Sequence, residues 1–333
     1  MRTRRRRPAL LTIAALVSVA ALAGCTTAAE EDGPPSAAPA ASSFWVDPDS
    51  ASARQVQQWR DQGRTRDADD LAALSSQPLP IWVGDWSDPG DLTRDVTTRA
   101  GRTGDVPVLV AYNIPNRDCG LFSQGGADDE AEYRRWVDDM ASGLEGRPAV
   151  VIVEPDALAQ TLADCEGQGR QEGREALLAY ASQRLAAAGA EVYIDAGNPG
   201  FIRDVDQLAA GLRSSGVADA EGFALNVANF NATEDVAAYG RAIADRLPGS
   251  RFVIDTGRNG NGTYGGPEQP TWCNPPGRAL GSNPTRDTGD PRIAAFLWIK
   301  EPGDSDGTCR GNPASGQFMP DYALDLVRNR AAS

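Results

Sequence analysis

Seven short apolar segments recur along the chain, and each is followed by polar residues and then by a helical pattern. Val150, Val151 and Ile152 belong to one of these continuous runs, which are typical of strands buried on both faces of a parallel sheet. The segments lie at 81–84, 106–112, 149–153, 191–194, 223–227, 251–254 and 293–299. Seven strands alternating with helices predict a wound α/β fold, and the chain length favours a barrel over an open sheet.

Between the strands, positions 171–188 predict a helix, because apolar residues such as Leu178 and Leu185 share one face and Gly189 supplies a stop. Five further helices are predicted at 50–74, 128–144, 204–212, 235–247 and 322–327. From residue 44 onward no second linker and no obvious repeat interrupts this pattern. Residues 44–333 are therefore expected to form one domain.

The N-terminus has the order of an export signal. An arginine cluster precedes an apolar run that is too short to span a membrane, and the run ends in Leu-Ala-Gly-Cys at Cys25. This tetrapeptide resembles the bacterial lipobox, so residues 1–24 are expected to be removed and Cys25 lipidated; a plain secretory signal is the alternative. Residues 25–43, rich in Ala, Pro and Ser, predict a tether. We expect an extracytoplasmic protein anchored at the outer face of the membrane, or secreted.

Composition removes several kinds of chemistry. The chain has no histidine, which excludes His-dependent nucleophile systems, imidazole acid–base catalysis and His-bearing zinc sites. The 46 acidic residues exceed the 32 basic ones, for a formal charge of -14, and loss of the leader arginines would make it about -19. That excess argues against a nucleic-acid partner. Nothing in the sequence indicates a metal or organic cofactor, and we expect a monomer.

Four cysteines follow Cys25, an even number for an oxidising compartment. Sequence alone allows three pairings, and the CxxC spacing of zinc sites is absent. We favour Cys119 with Cys165 and Cys273 with Cys309, because each of these bridges would close a long loop.

Polar residues follow the predicted strands at the ends where barrels place their active sites. They include Asp118, Asp156, Asp195, Asp255 and Lys300, the only lysine of the chain. A set of carboxyl groups without histidine fits glycoside hydrolysis, in which one carboxyl protonates the leaving oxygen and another activates water or attacks. Tryptophans near loop starts offer flat faces for sugar rings, or serve as core or lid residues: Trp82, Trp86 and Trp272.

Several motifs, in order along nearly the whole domain, resemble glycoside hydrolase family 6, the inverting β-1,4-glucanases. They are YNIPNRDCG (112–120), VIVEPDALA (151–159), YIDAGN (193–198), NVANFN (226–231), FVIDTGRNGNG (252–262), WCNPPGRALG (272–281) and FLWIKEPGDSDGTC (296–309). The resemblance implies a distorted, TIM-like barrel of seven parallel strands with a cleft across its C-terminal face. It also implies the two disulfides favoured above.

The resemblance assigns roles residue by residue. Asp156 corresponds to the general acid, and Asp118 to the aspartate that raises the acid's pKa and helps relay a proton from water. Asp306 matches the candidate base, and Tyr112 the tyrosine that favours sugar distortion. Residues expected to bind substrate are Trp82, Asp195, Asn198, Phe201, Asn229, Trp272, Lys300 and Asp304.

Two positions depart from the family pattern. Asn198 stands where the family has histidine, and Phe201 where it has tryptophan, which puts sugar binding on the leaving-group side in doubt. The cysteine-bounded segments 119–165 and 273–309 leave little room for a roof over the cleft, so an open cleft and internal cutting are expected rather than cellobiohydrolase action. A weakened glucan-binding lipoprotein of this fold is an alternative, and a two-lobed solute-binding lipoprotein a remoter one.

Overall fold

Seven parallel strands, paired in chain order, form one curled sheet at the centre of the protein. The computed structural model describes residues 43–167, 171 and 173–332, so residues 1–24, Cys25 and the predicted tether up to residue 42 lie outside the described residues. The strands are β1 (Ile81–Val83), β2 (Val108–Ala111), β3 (Val150–Val153), β4 (Glu191–Asp195), β5 (Gly222–Leu225), β6 (Arg251–Asp255) and β7 (Ile293–Leu297). All seven predicted strands are confirmed.

Both faces of the sheet are buried, as continuous apolar strands require. Leu109 and Val151 face outward and pack with the surrounding helices. Val110 and Ile152, one position further along the same strands, face the inside of the curl. Within the described residues no backbone ladder joins β7 to β1, but the Trp82 indole of β1 donates to the carbonyl of Ile299 just beyond β7, at 3.0 Å. The fold is the expected distorted barrel.

Helices fill the connections on the outside of the sheet. They are α1 (Ala51–Asp61), α2 (Thr65–Ser75), α3 (Pro89–Gly101), α4 (Glu130–Leu144), α5 (Ala157–Leu162), α6 (Arg174–Ala187), α7 (Val205–Ser214), α8 (Thr233–Ala244) and α9 (Pro320–Ala332). None of these described helices combines the length and apolar character needed to cross a lipid bilayer.

One helix prediction needs correction, and two helices were not predicted. The helix predicted at 50–74 is two helices, because Gly63 takes a φ of 75° and turns the chain between α1 and α2. Helices α3 and α5 were not predicted. The signals for α3 are present in the sequence, since Asp88 caps its N-terminus through the Asp91 N–H and Pro89 occupies its first turn.

Close strand packing at the start of β5 gives a test of the fold. A Cβ placed on Gly222 would lie 1.7 Å from the carbonyl oxygen of Arg251 on β6, an overlap that only backbone movement can relieve. We expect Gly222→Ala to lower the free energy of unfolding by about 3 kcal/mol or more, measured by urea denaturation. Gly101→Ala, at the end of α3 where a Cβ meets nothing within 4 Å, is the matched control. Equal stabilities of the two variants would contradict the packing.

Candidate active site

A cleft of about 1040 Å³ lies where the carboxyl ends of the strands open into their loops. The predicted site residues that line it are Trp82, Tyr112, Asp118, Asp156, Asn198, Phe201, Asn229, Trp272, Lys300, Asp304 and Asp306. Asp195 is not among the lining residues and is fully buried. Sequence positions spread over most of the domain are thus brought together in one cleft.

Asp156 enters the cleft from a sharp turn after β3. Glu154 and Asp156 on either side of Pro155 both take positive φ values, 49° and 69°, and α5 begins directly afterwards. Burial raises the pKa of the Asp156 carboxyl well above its usual range, and the charges of Asp195 and Asp118 raise it further. Asp156 is therefore a carboxyl that stays protonated when ordinary aspartates have ionised.

Asp195 supports Asp156 by a hydrogen bond to its backbone. It ends β4, and its Oδ2 accepts the backbone N–H of Asp156 at 2.8 Å and that of Gly197 at 3.1 Å. Burial raises the pKa of Asp195 to about 7, although the bonds from these two N–H groups act in the opposite direction. Asp195 thus fixes the backbone of Asp156, a contact that the sequence did not reveal.

Glu154 and Asp255 likewise hold the backbone of other loops by accepting hydrogen bonds from it. Glu154 is fully buried and accepts the backbone N–H groups of Asn113 and Ile114, which follow β2. Asp255, at the end of β6, accepts the N–H groups of Ala228 and Lys300, and burial raises its pKa. Both carboxyls shape the cleft without lining it.

Asp118 lies on the loop that follows β2. Its Oδ2 accepts the backbone N–H of Ser123 at 2.7 Å, and its Oδ1 accepts the side-chain amide of Gln160 at 3.1 Å. Arg117 stabilises the same loop by donating to the carbonyls of Tyr112 and Ser123, at 2.8 and 2.9 Å. The loop therefore presents Asp118 to the cleft in one defined orientation.

Asp306 is held by an arginine that sequence reasoning missed. Arg258 binds both carboxylate oxygens at 2.9 Å, and the backbone N–H of Asn274 donates to Oδ2 at the same distance. Arg258 is only 2% exposed. Arg258 lies in the motif FVIDTGRNGNG, but its partner Asp306 is 48 residues further along the chain. The sequence therefore gave no sign that these two residues pair.

Aromatic and charged groups define one end of the cleft. The Trp82 and Tyr112 rings meet edge to face with centroids 5.0 Å apart, and the ammonium of Lys300 lies 5.7 Å from the Trp82 ring. The same ammonium donates to the carbonyl of Ser305 at 3.2 Å. Burial raises the pKa of nearby Asp304 to about 6, against the opposing charge of Lys300. Trp82 lies within β1 rather than at a loop start.

The two positions that depart from the family pattern also line the cleft. Asn198 turns its Oδ1 inward to accept the N–H of Gly200 at 2.9 Å, while the ring of Phe201 is 36% exposed. Trp86, which the sequence offered as a stacking face or a lid residue, lines the cleft as well. Phe122 and Gln160 also line it and were not predicted from the sequence.

Disulfides close the two long loops that border the cleft. Cys119 is bonded to Cys165, and Cys273 to Cys309, in agreement with the favoured pairing. The first bridge begins one residue after Asp118, and the second ends three residues after Asp306. Each disulfide therefore crosslinks one of these loops close to the aspartate that the loop carries.

The buried Arg258–Asp306 pair can be tested by its energetics. Arg258→Met leaves a buried carboxylate without its cation and should cost about 3–5 kcal/mol of unfolding free energy in urea. Arg258→Met combined with Asp306→Asn removes both charges and should recover part of that loss. Arg251→Met, which breaks the exposed pair with Glu221, is the control and should cost under about 1 kcal/mol. A double variant no more stable than Arg258→Met would contradict the assignment.

Glu154 predicts a pH dependence of stability. Burial raises its pKa from 4.5 to about 7, so between these values the folded chain holds a proton that the unfolded chain has released. The contribution of this group to stability therefore falls as pH rises through that window. Glu154→Gln should flatten the fall by up to about 3 kcal/mol, measured by urea denaturation at several pH values. Exposed Glu234→Gln is the control, and an unchanged slope in Glu154→Gln would overturn the prediction.

Comparison with known proteins gives a family match over nearly the whole described chain. The model described as "Glycosyl hydrolases family 6" matches residues 39–330. Endoglucanase A of Cellulomonas fimi is 45% identical over 291 residues, which are 86% of this chain and 61% of that protein. Endoglucanase 1 of Streptomyces halstedii is 39% identical over 297 residues, which are 86% of this chain and 88% of that protein.

Solved structures show the same architecture. The endoglucanase Cel6 from Mycobacterium tuberculosis, in complex with methyl-cellobiosyl-4-deoxy-4-thio-β-D-cellobioside, superposes with a TM-score of 0.80 at 41% identity. The match covers 88% of this chain and 99% of that one. The present chain spans only 61% and 63% of the length of the Endoglucanase A proteins of Cellulomonas fimi and Thermobispora bispora.

Proposed function

Because this chain belongs to glycosyl hydrolase family 6, we propose that it hydrolyses β-1,4-glucan at internal linkages, with inversion at the anomeric carbon. The observation that carries the proposal is Asp156, a carboxyl with a strongly raised pKa that lines the cleft together with Asp118 and Asp306. The relatives named endoglucanase, at 39–45% identity, support internal cutting. Cello-oligosaccharide in the Mycobacterium tuberculosis structure supports the substrate class.

In the proposed reaction Asp156 protonates the leaving group. Its protonated carboxyl donates to the glycosidic oxygen as the bond from that oxygen to the anomeric carbon breaks. The raised pKa keeps the proton on Asp156 until a substrate oxygen accepts it. Asp195 holds the backbone of Asp156, so it acts as a positioning residue rather than as a sugar ligand.

In the same displacement, water attacks the anomeric carbon from the opposite face and loses a proton. Arg258 donates to both oxygens of Asp306, and the backbone N–H of Asn274 donates to Oδ2, so these donors fix the Asp306 carboxylate in the cleft. Asp118 accepts bonds from Ser123 and Gln160, which help to hold its carboxylate in the cleft. In the proposed reaction Asp306, which matches the family's candidate base, accepts this proton, and Asp118 helps to relay it from the water.

Sugar rings would be held by the aromatic and charged groups of the cleft. Trp82 and Trp272 offer stacking faces, and Lys300 and Asp304 offer hydrogen bonds to hydroxyl groups. On the leaving-group side, Asn198 has committed its carbonyl oxygen to Gly200, which leaves its amide N–H₂ for the sugar. The smaller ring of Phe201 supports weaker binding there than a tryptophan would.

We also propose that the protein acts outside the cytoplasm and is tethered by a lipid on Cys25. The support is the export signal with its Leu-Ala-Gly-Cys end and the even set of paired cysteines in the domain. Mass spectrometry of the chain isolated from the bacterial membrane fraction tests the anchor, since a diacylated N-terminal cysteine is the expected product.

The catalytic proposal predicts the behaviour of one conservative variant. Asp156→Asn keeps the shape of the side chain but has no acidic proton, so hydrolysis of carboxymethylcellulose should fall by about 10²–10⁴-fold. Reducing ends and viscosity are followed together. Asp325→Asn, an exposed change on α9, is the matched control and should keep full activity. If the unmodified chain releases no reducing ends from any β-glucan, the glucan-binding alternative replaces the enzyme.

A further inference from the structure

Arg174, the first residue of α6, is a buried cation outside the cleft. It is only 3% exposed and is not among the residues that line the cleft. Its guanidinium donates to the backbone carbonyls of Pro115 and Asn116, at 3.0 and 2.9 Å. It also donates to the carbonyl of Ala157, at 3.4 Å. One side chain therefore binds the backbone of two segments, the loop after β2 and the start of α5.

These two segments carry two of the carboxyls that line the cleft. Asn116 lies two residues before Asp118, and Ala157 directly follows Asp156. Arg174 thus joins the backbone that leads into Asp118 to the backbone that leaves Asp156. The separation of the two carboxyls depends on how these stretches of backbone lie relative to each other.

A buried carboxyl works beside the guanidinium. Glu154 accepts the backbone N–H groups of Asn113 and Ile114, and Arg174 binds the carbonyls of the next two residues. Burial lowers the pKa of the Arg174 guanidinium, and the charge of Glu154 acts in the opposite direction. Residues 113–116 of the loop after β2 are therefore held by one buried acid and one buried base.

The segments that Arg174 binds have backbone conformations that need support from their surroundings. Asn116 and Asp118 take φ values of 53° and 57°, and Asp156 takes 69°, in the left-handed region that residues with side chains seldom adopt. Such conformations persist where the surrounding contacts over-determine them. Without the guanidinium, both segments could relax towards ordinary values of φ. Repulsion between the two carboxylates would then favour a larger separation.

We propose that Arg174 is a positioning residue that fixes the separation of Asp118 and Asp156 for the glucanase reaction. This proposal rests on the proposed function of the cleft. Of the charged groups that act on Asp156, Asp118 is the one whose segment Arg174 binds. The full set is Asp195, Asp118, Asp306 and Lys300, together with Tyr112, whose raised phenol pKa keeps it neutral.

Titration of Asp156 in the full chain tests the proposal without using the enzymatic reaction. In protein labelled with [γ-¹³C]aspartate, the carboxyl signal that is missing from Asp156→Asn identifies this residue. Arg174→Met should lower the pKa of Asp156 by about 0.5 or more, because the charge of Asp118 moves away from it. Loss of the cation alone would raise that pKa instead. Arg184→Met, an exposed change on the same helix, is the matched control and should leave the pKa unchanged.

Asp118→Asn decides whether the effect of Arg174 passes through Asp118. In that background Arg174→Met should shift the pKa of Asp156 by roughly half as much or less, since the charge that moves is gone. Arg174→Lys keeps the buried charge but cannot span the carbonyls of both segments. Its Asp156 pKa should therefore be intermediate, and this variant decides the matter if Arg174→Met does not fold. An unchanged pKa in the folded variants, or an equal shift with and without Asp118→Asn, overturns the proposal.

The kinetic effect should fall on turnover rather than on substrate binding. Because Arg174 does not line the cleft, Arg174→Met should lower kcat on cellopentaose about ten-fold or more and leave KM within about two-fold. Arg184→Met should keep both constants. A raised KM with an unchanged kcat would contradict a positioning role. An unmodified chain that releases no reducing ends from any β-glucan defeats the proposed function instead, while the titration still decides what Arg174 fixes.

Discussion

The cleft depends on buried carboxyls that end the strands and hold the backbone of neighbouring loops. Glu154 after β3 binds the loop of β2, and Asp195 at the end of β4 binds the backbone of Asp156 after β3. Asp255 at the end of β6 binds the loops of both β5 and β7. Each carboxyl therefore satisfies loop N–H groups where the ladder of a parallel sheet stops. Without these carboxyls, the loop backbones would lose the hydrogen bonds that hold them against the strand ends.

The same arrangement creates the electrostatics of the site. Several carboxyls are concentrated at one end of the curled sheet. Burial disfavours their charged forms, and the charge on each carboxylate disfavours ionisation of its neighbours. Asp156 consequently has its pKa raised well above that of an ordinary aspartate, and Asp195 has its pKa raised to about 7. Arg258 balances the charge of Asp306 locally. A protein without histidine thus gains an acid suited to near-neutral pH from crowding and burial alone.

The sequence predicted those parts of the structure that arise from local pattern. Runs such as 149–153 predicted each strand, and polar residues after the strands predicted which side chains would meet, because parallel strands end at one edge. The turn at Gly63 was missed, although the buried positions of α1 and α2 do not share one helical face across it. The partner of Arg258 and the inward role of Asp195 could not be predicted, because each contact joins segments whose pairing only the folded loops determine.

The central claim is that Asp156 protonates the leaving oxygen while water attacks from the other face, a mechanism that inverts the anomeric carbon. Proton NMR of the first product released from cellopentaose tests this claim most directly, before mutarotation mixes the anomers. The account predicts the α-anomer as the first new reducing end. A β-anomer appearing first would show that a carboxyl of the cleft attacks the sugar instead, and would contradict the account.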